Sequence, residues 1–174
     1  TYIYVYDGYA DKQGSTIGIV GPASLAGDSQ KVIHTVLGST EPEGWGTQLN
    51  NEVVFSLSRG RSWQAWRSNA DIADVVLSAD VNIGTLESSV QTAIMLRYGN
   101  DLRSTYASSL LGSSRASNPF SINGGWFVYT AIGAGYTFHQ IFFDGNTFTD
   151  SRSIDYDPER IGVTTGIAYS WNNW

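Results

Sequence analysis

Cysteine is missing from all 174 residues, which excludes disulfides, thiolate metal sites and a cysteine nucleophile. Charge is scarce as well. Charged residues make up 15% of the chain, against roughly 25% in an ordinary soluble domain. The net charge of -6 leaves no basic excess for a nucleic-acid partner. No run of about 18 apolar residues occurs, so the sequence holds no transmembrane helix. A membrane β-barrel stays open, because its strands alternate and leave only a weak hydropathy signal. What the chain has in plenty is aromatic residues, at 13%, and 19 glycines, a mixture that suits many strands with one face kept from bulk water.

The dominant pattern is alternation. Val75, Leu77, Ala79, Val81 and Ile83 share one face, while Asp74, Val76, Ser78, Asp80 and Asn82 share the other. Val90, Thr92, Ile94, Leu96 and Tyr98 repeat the pattern after a short turn, which makes an antiparallel hairpin. From Gly125 to Gln140, and again from Ile161 to Trp171, bulky residues on one face oppose mainly Gly, Ala, Ser and Thr on the other. A lipid-facing wall with a crowded interior requires that division. A soluble calyx also alternates, but Lys and Glu are expected on its wet face.

Further strands are expected over residues 1–9, 15–20 and 47–58, with a turn at Ala10 to Gly14 and a long Ser/Asn/Gly-rich loop after Tyr98. The fold class is therefore all-β, an antiparallel transmembrane β-barrel of about seven strands, forming one domain over residues 1–174. Single-chain bacterial barrels close with an even number of strands. The chain opens directly on a strand-like run and ends on Asn172-Asn173, which reads as a turn before another strand. A partial barrel is expected.

Gly21 to Gly38 breaks the pattern. Leu25, Val32, Ile33, Val36 and Leu37 fall on one side of a helical wheel, with Asp28, Lys31 and Thr35 on the other. The spacing predicts an amphipathic helix near Ser24 to Leu37, with Ser24 as N-cap and Gly38 just past its end. Its apolar face is expected to pack on the barrel wall. Gln30 and His34, one turn apart at the edge of that stripe, would then point into the docking seam.

Three stretches, Gly21 to His34, Gly44 to Glu52 and Phe142 to Asp155, together resemble the outer-membrane lipid A 3-O-deacylases, twelve-stranded barrels with a short helix beside the active site. The resemblance implies a hydrolase of lipid A, the membrane anchor of lipopolysaccharide, working among outer-membrane lipids as a monomer. It implies His34 as general base with Gln30 supporting it, calcium as cofactor, and Glu41 as the nearest match to a glutamate beside the metal. Neutral imidazole suits the base role, and calcium prefers oxygen ligands. The family also carries an Asn-Asp pair and a hydroxyl on earlier strands, for which this chain has no room. The alternatives are a barrel without enzymatic activity and a soluble lipid-binding calyx.

Other polar residues read more plainly. His139 is expected at a rim or in the lumen. Glu41 and Glu43 flank Pro42 and also suit a solvated loop. The run from Asp144 to Asp155 lacks EF-hand spacing and is expected to be a structural turn, with Gly145 supplying an unusual backbone angle. Trp45, Trp63, Trp66 and Trp126 suit membrane-interface belts. Arg59, Arg61 and Arg67 suit lipid A phosphates near the membrane surface or an exposed rim.

Overall fold

The computed structural model describes residues 1–40, 43–100, 102–103 and 125–170. Glu41, residues 104–124 of the expected long loop and the turn at 172–173 lie outside the described residues. Seven strands follow one another in a single antiparallel sheet: β1 (Tyr2–Val5), β2 (Tyr9–Val20), β3 (Glu52–Arg67), β4 (Ala73–Gly84), β5 (Glu87–Gly99), β6 (Gly125–Gln140) and β7 (Glu159–Ser170). Each pairs with its neighbour in sequence, and among the described residues β1 and β7 form open edges.

The alternation carries through to three dimensions. On β3, Val53, Phe55 and Leu57 face outward and are exposed, whereas Val54 and Ser56 between them are buried. On β6, outward Ile132 is 55% exposed and its inward neighbour Ala131 only 7%. Asp74, Ser78, Ser89 and Thr137 share the buried inner face. The sheet thus turns its large apolar residues outward and its small and polar ones inward, the arrangement of a membrane wall. No helix among the described residues is long and apolar enough to cross a membrane.

The first hairpin corrects the expected turn. Ala10 to Gly14 lie within β2, and the chain reverses at Asp7-Gly8 instead, closed by a 2.9 Å bond from the Tyr6 amide to the Tyr9 carbonyl. Gly8 has φ 80°, which the Asp-Gly pair favours in tight hairpins. The polar run that resembles a turn is spent on partners across the sheet: Asp11 holds Arg61, and Lys12 reaches Asp80 at 3.3 Å. β3 is also longer than expected, continuing through Arg59 to Arg67 along β2 and β4.

The two ends of the inner face differ. At the end where β2 leaves the sheet, Val20, Val54 and Ile141 form an apolar cluster with Leu49 and Leu86 against it. Burying each such aliphatic side chain contributes about 1.5–3 kcal/mol. Ile141 opens the short helix α2 (Ile141–Asp144), which places it over the mouth of the sheet. At the opposite end Asp74 and Arg97 fill the interior.

Candidate active site at the helix end of the sheet

Between β2 and β3 the chain leaves the wall through a 3-10 turn (Pro22–Ser24) and enters α1 (Ala26–Leu37). Leu25, with φ 56°, is the N-cap in place of the expected Ser24. The Ser24 hydroxyl donates back to the Gly21 carbonyl at 2.7 Å, tying the turn, and accepts a longer 3.4 Å bond from the Ala26 amide at the start of α1. Gly38 ends the helix as expected, at φ 65° and ψ 26°, and the Ser39 amide returns to the His34 carbonyl at 2.9 Å.

The helix seats on a different face from the one expected. Val32, Ile33, Val36 and Leu37 are 56–79% exposed, so the apolar stripe does not pack on the wall. The covered side is the line Gly27, Gln30 and His34, residues that share one helical face. Its seat is Trp45, in a 3-10 turn (Trp45–Thr47), whose ring lies so close that a Cβ on Gly27 would stand 3.0 Å away. The smallest residue of the helix admits the ring, and that contact sets the orientation. Trp45 therefore serves the helix rather than a membrane-interface belt.

The orientation fixes His34. Its Nδ1 lies 2.6 Å from the Thr40 carbonyl and its Nε2 lies 3.5 Å from the Gln30 side-chain amide. A carbonyl can only accept, so Nδ1 carries the proton and donates it there. Nε2 then keeps its lone pair. The reversal at Gly38 is what brings the Thr40 carbonyl back to the ring. Gln30 and His34 are thus brought together, while Glu41 lies outside the described residues. Among the described residues no three His, Asp or Glu side chains gather as a metal site.

The three sequence stretches converge at this end. The Ala23 amide donates to Asn51 Oδ1 at 2.6 Å, which anchors the entry to α1 on the start of β3. Asn146 accepts from the Asn50 amide at 2.8 Å, donates to the Asn50 carbonyl at 2.9 Å, and reaches Glu52 Oε2 at 3.0 Å. The Thr147 amide adds a 2.9 Å bond to the same oxygen. Asp144 receives the Gln140 amide at 2.6 Å and the Tyr156 hydroxyl at 3.0 Å. Gly145, at φ 87°, turns the chain as expected.

Asn50, Asn51, Glu52 and Asn146 form the scaffold that sequence reading left out. The dense polar run Asn50-Asn51-Glu52, directly before an alternating strand, is the signal that marks it. His139 sits at the inner rim of β6, 2.9 Å from the Thr85 carbonyl, as expected. Tyr156 has its pKa raised, first by desolvation and then by its bond to the Asp144 carboxylate. Arg67 pairs with Asp71 at 2.9 Å in the turn after β3, while Arg59 and Arg61 face outward.

A protein-family model described as outer membrane protein LpxR matches residues 2–174. No curated protein sequence matches. Among solved structures, LpxR from Salmonella typhimurium is similar with a TM-score of 0.72 and 17% identity, over 96% of this chain and 58% of that one. The chain therefore spans less than two thirds of that relative's length, and at such identity the likeness speaks for the fold. The outward apolar wall agrees with an outer-membrane location, and the soluble calyx is set aside. With residues 2–174 of its 174 matched by the family model, the chain belongs to the family of outer membrane protein LpxR.

Proposed function

We propose that the protein hydrolyses the 3-O-linked acyl ester of lipid A, with His34 as general base, Gln30 supporting it, and lipopolysaccharide in the outer membrane as substrate. The observation that carries this reading is the His34 ring itself. One nitrogen donates to the Thr40 carbonyl, so the other carries the ring's lone pair, which the Gln30 side-chain amide meets at 3.5 Å. An imidazole so held can take a proton from water. The water oxygen attacks the ester carbonyl, the bond to the sugar oxygen breaks, and the imidazolium returns its proton to that oxygen. Free fatty acid and a sugar hydroxyl result. Gln30, one turn before His34, limits how the ring can tilt.

Calcium, with Glu41 as a ligand, belongs to this reading by the family resemblance alone. Among the described residues no three His, Asp or Glu side chains gather to hold it, and no step above runs through it.

The test is release of fatty acid from lipid A in mixed micelles, followed by mass spectrometry, using the full-length protein. His34→Ala is expected to lower the rate by about 10²–10⁴-fold, the usual worth of a general base. Hydrolysis that survives this substitution overturns the assignment of His34.

A further inference from the structure

The outer face of β3 carries a charged cluster beyond its apolar stretch. Asp11 on β2 and Arg61 opposite it on β3 both point outward, joined by a 2.8 Å bond from Nη2 to Oδ2, and Arg59 approaches the same carboxylate at 3.3 Å. Among the described residues Asp11 is the carboxylate within ion-pair distance of either arginine. Two guanidiniums share one negative charge, which leaves the group at +1. Asp11 is only 7% exposed, while the Arg59 and Arg61 side chains are 61% and 42% exposed. The carboxylate lies underneath, and the surroundings meet the positive groups.

Position decides what those surroundings are. Val53, Phe55 and Leu57 run outward along β3 before Arg59 and Arg61, and Trp63 follows them. Val53 to Arg61 spans about 27 Å of strand at roughly 3.4 Å per residue, or about 20 Å of height at a tilt near 40°. The apolar band of a membrane barrel is about 25 Å tall and is edged by aromatic residues. With Val53 near one edge, Arg61 stands near the other, beside Trp63 and with the Tyr9 ring 4.8 Å from its guanidinium carbon. An uncompensated cation there lies at the level of lipid phosphates, and arginine matches the phosphate group in planar geometry.

We propose that Arg59 and Arg61 bind the phosphate of an anionic glycerophospholipid. The choice of lipid rests on the deacylase reading: the patch lies toward the end of the sheet opposite α1, so a lipid A substrate at the α1 end puts the patch in the other leaflet. Binding itself does not depend on His34 or on hydrolysis, so either idea can fail alone.

Native mass spectrometry of the protein in detergent, with phosphatidylglycerol, phosphatidylcholine or lipid A added separately, tests the site. Wild type is expected to retain phosphatidylglycerol over the other two. Arg59→Gln leaves the Arg61 to Asp11 pair in place and is expected to weaken retention about fivefold, the worth of one surface arginine at a membrane. Asp11→Asn raises the local charge and is expected to tighten it by a similar factor. Equal retention of phosphatidylglycerol by wild type and Arg59→Gln overturns the site, and preference for lipid A overturns the choice of lipid.

Discussion

Arg97 stands opposite Asp74 on adjoining strands, both side chains fully enclosed and 2.6 Å apart. Gln64 donates to the same carboxylate at 2.6 Å, Arg97 also reaches the Leu102 carbonyl at 2.9 Å, and the Phe127 ring lies 5.2 Å from its guanidinium carbon. Removing one partner leaves the other charge buried. Arg97→Met is expected to cost about 3–5 kcal/mol, read by denaturant unfolding in detergent. Arg97→Met combined with Asp74→Leu should recover most of that loss, and a double variant as unstable as the single one refutes the explanation.

Gly38 is expected to control His34 without touching it. Its positive φ costs other residues about 1 kcal/mol, so Gly38→Val should displace the Thr40 carbonyl from Nδ1. The pH profile of lipid A hydrolysis should change along with its rate. A rate loss with an unchanged profile would reduce Gly38 to a purely structural role.

The seat of α1 can be tested from Gly27. Gly27→Val drives a side chain into the Trp45 ring, whereas Gly46→Ala, with nothing within 4 Å of the added atom, meets no obstacle. Hydrogen exchange along α1 is expected to speed up in the first variant and stay unchanged in the second.

Tyr156 gives the segment of residues 144–156 an alkaline limit. Its pKa is raised by desolvation and by Asp144, so its contribution is complete below the ordinary tyrosine range near 10 and is lost as pH rises through the folded value. Loosening of residues 144–156 above about pH 10, seen by proteolysis, should be absent in Tyr156→Phe.

The parts of the fold legible in sequence are those where one local rule acts. Gly125 to Gln140 is a strand from end to end because every other side chain faces lipid, and the spacing of Gln30 and His34 fixes their shared face. Asp11 and Lys12 mislead because their partners, Arg61 and Asp80, are distant in sequence, so the charges imitate a turn. Val32 and Ile33 mislead differently: periodicity identifies the apolar side of α1 but not what covers it, and Trp45 selects the glycine side instead. The Thr40 carbonyl is backbone and leaves no mark in side-chain chemistry.

Lys12, Gly60 and Asp80 lie in one cross-strand row over β2, β3 and β4, yet Lys12 meets Asp80 as though the middle strand were bare. In a flat sheet the outer members of such a row stand about 9–10 Å apart. The Lys12 and Asp80 side chains together close that span over the bare backbone of Gly60, where an added Cβ would run into the Asp80 carboxylate. Any residue larger than glycine at position 60 would push that carboxylate aside and prise the ion pair open.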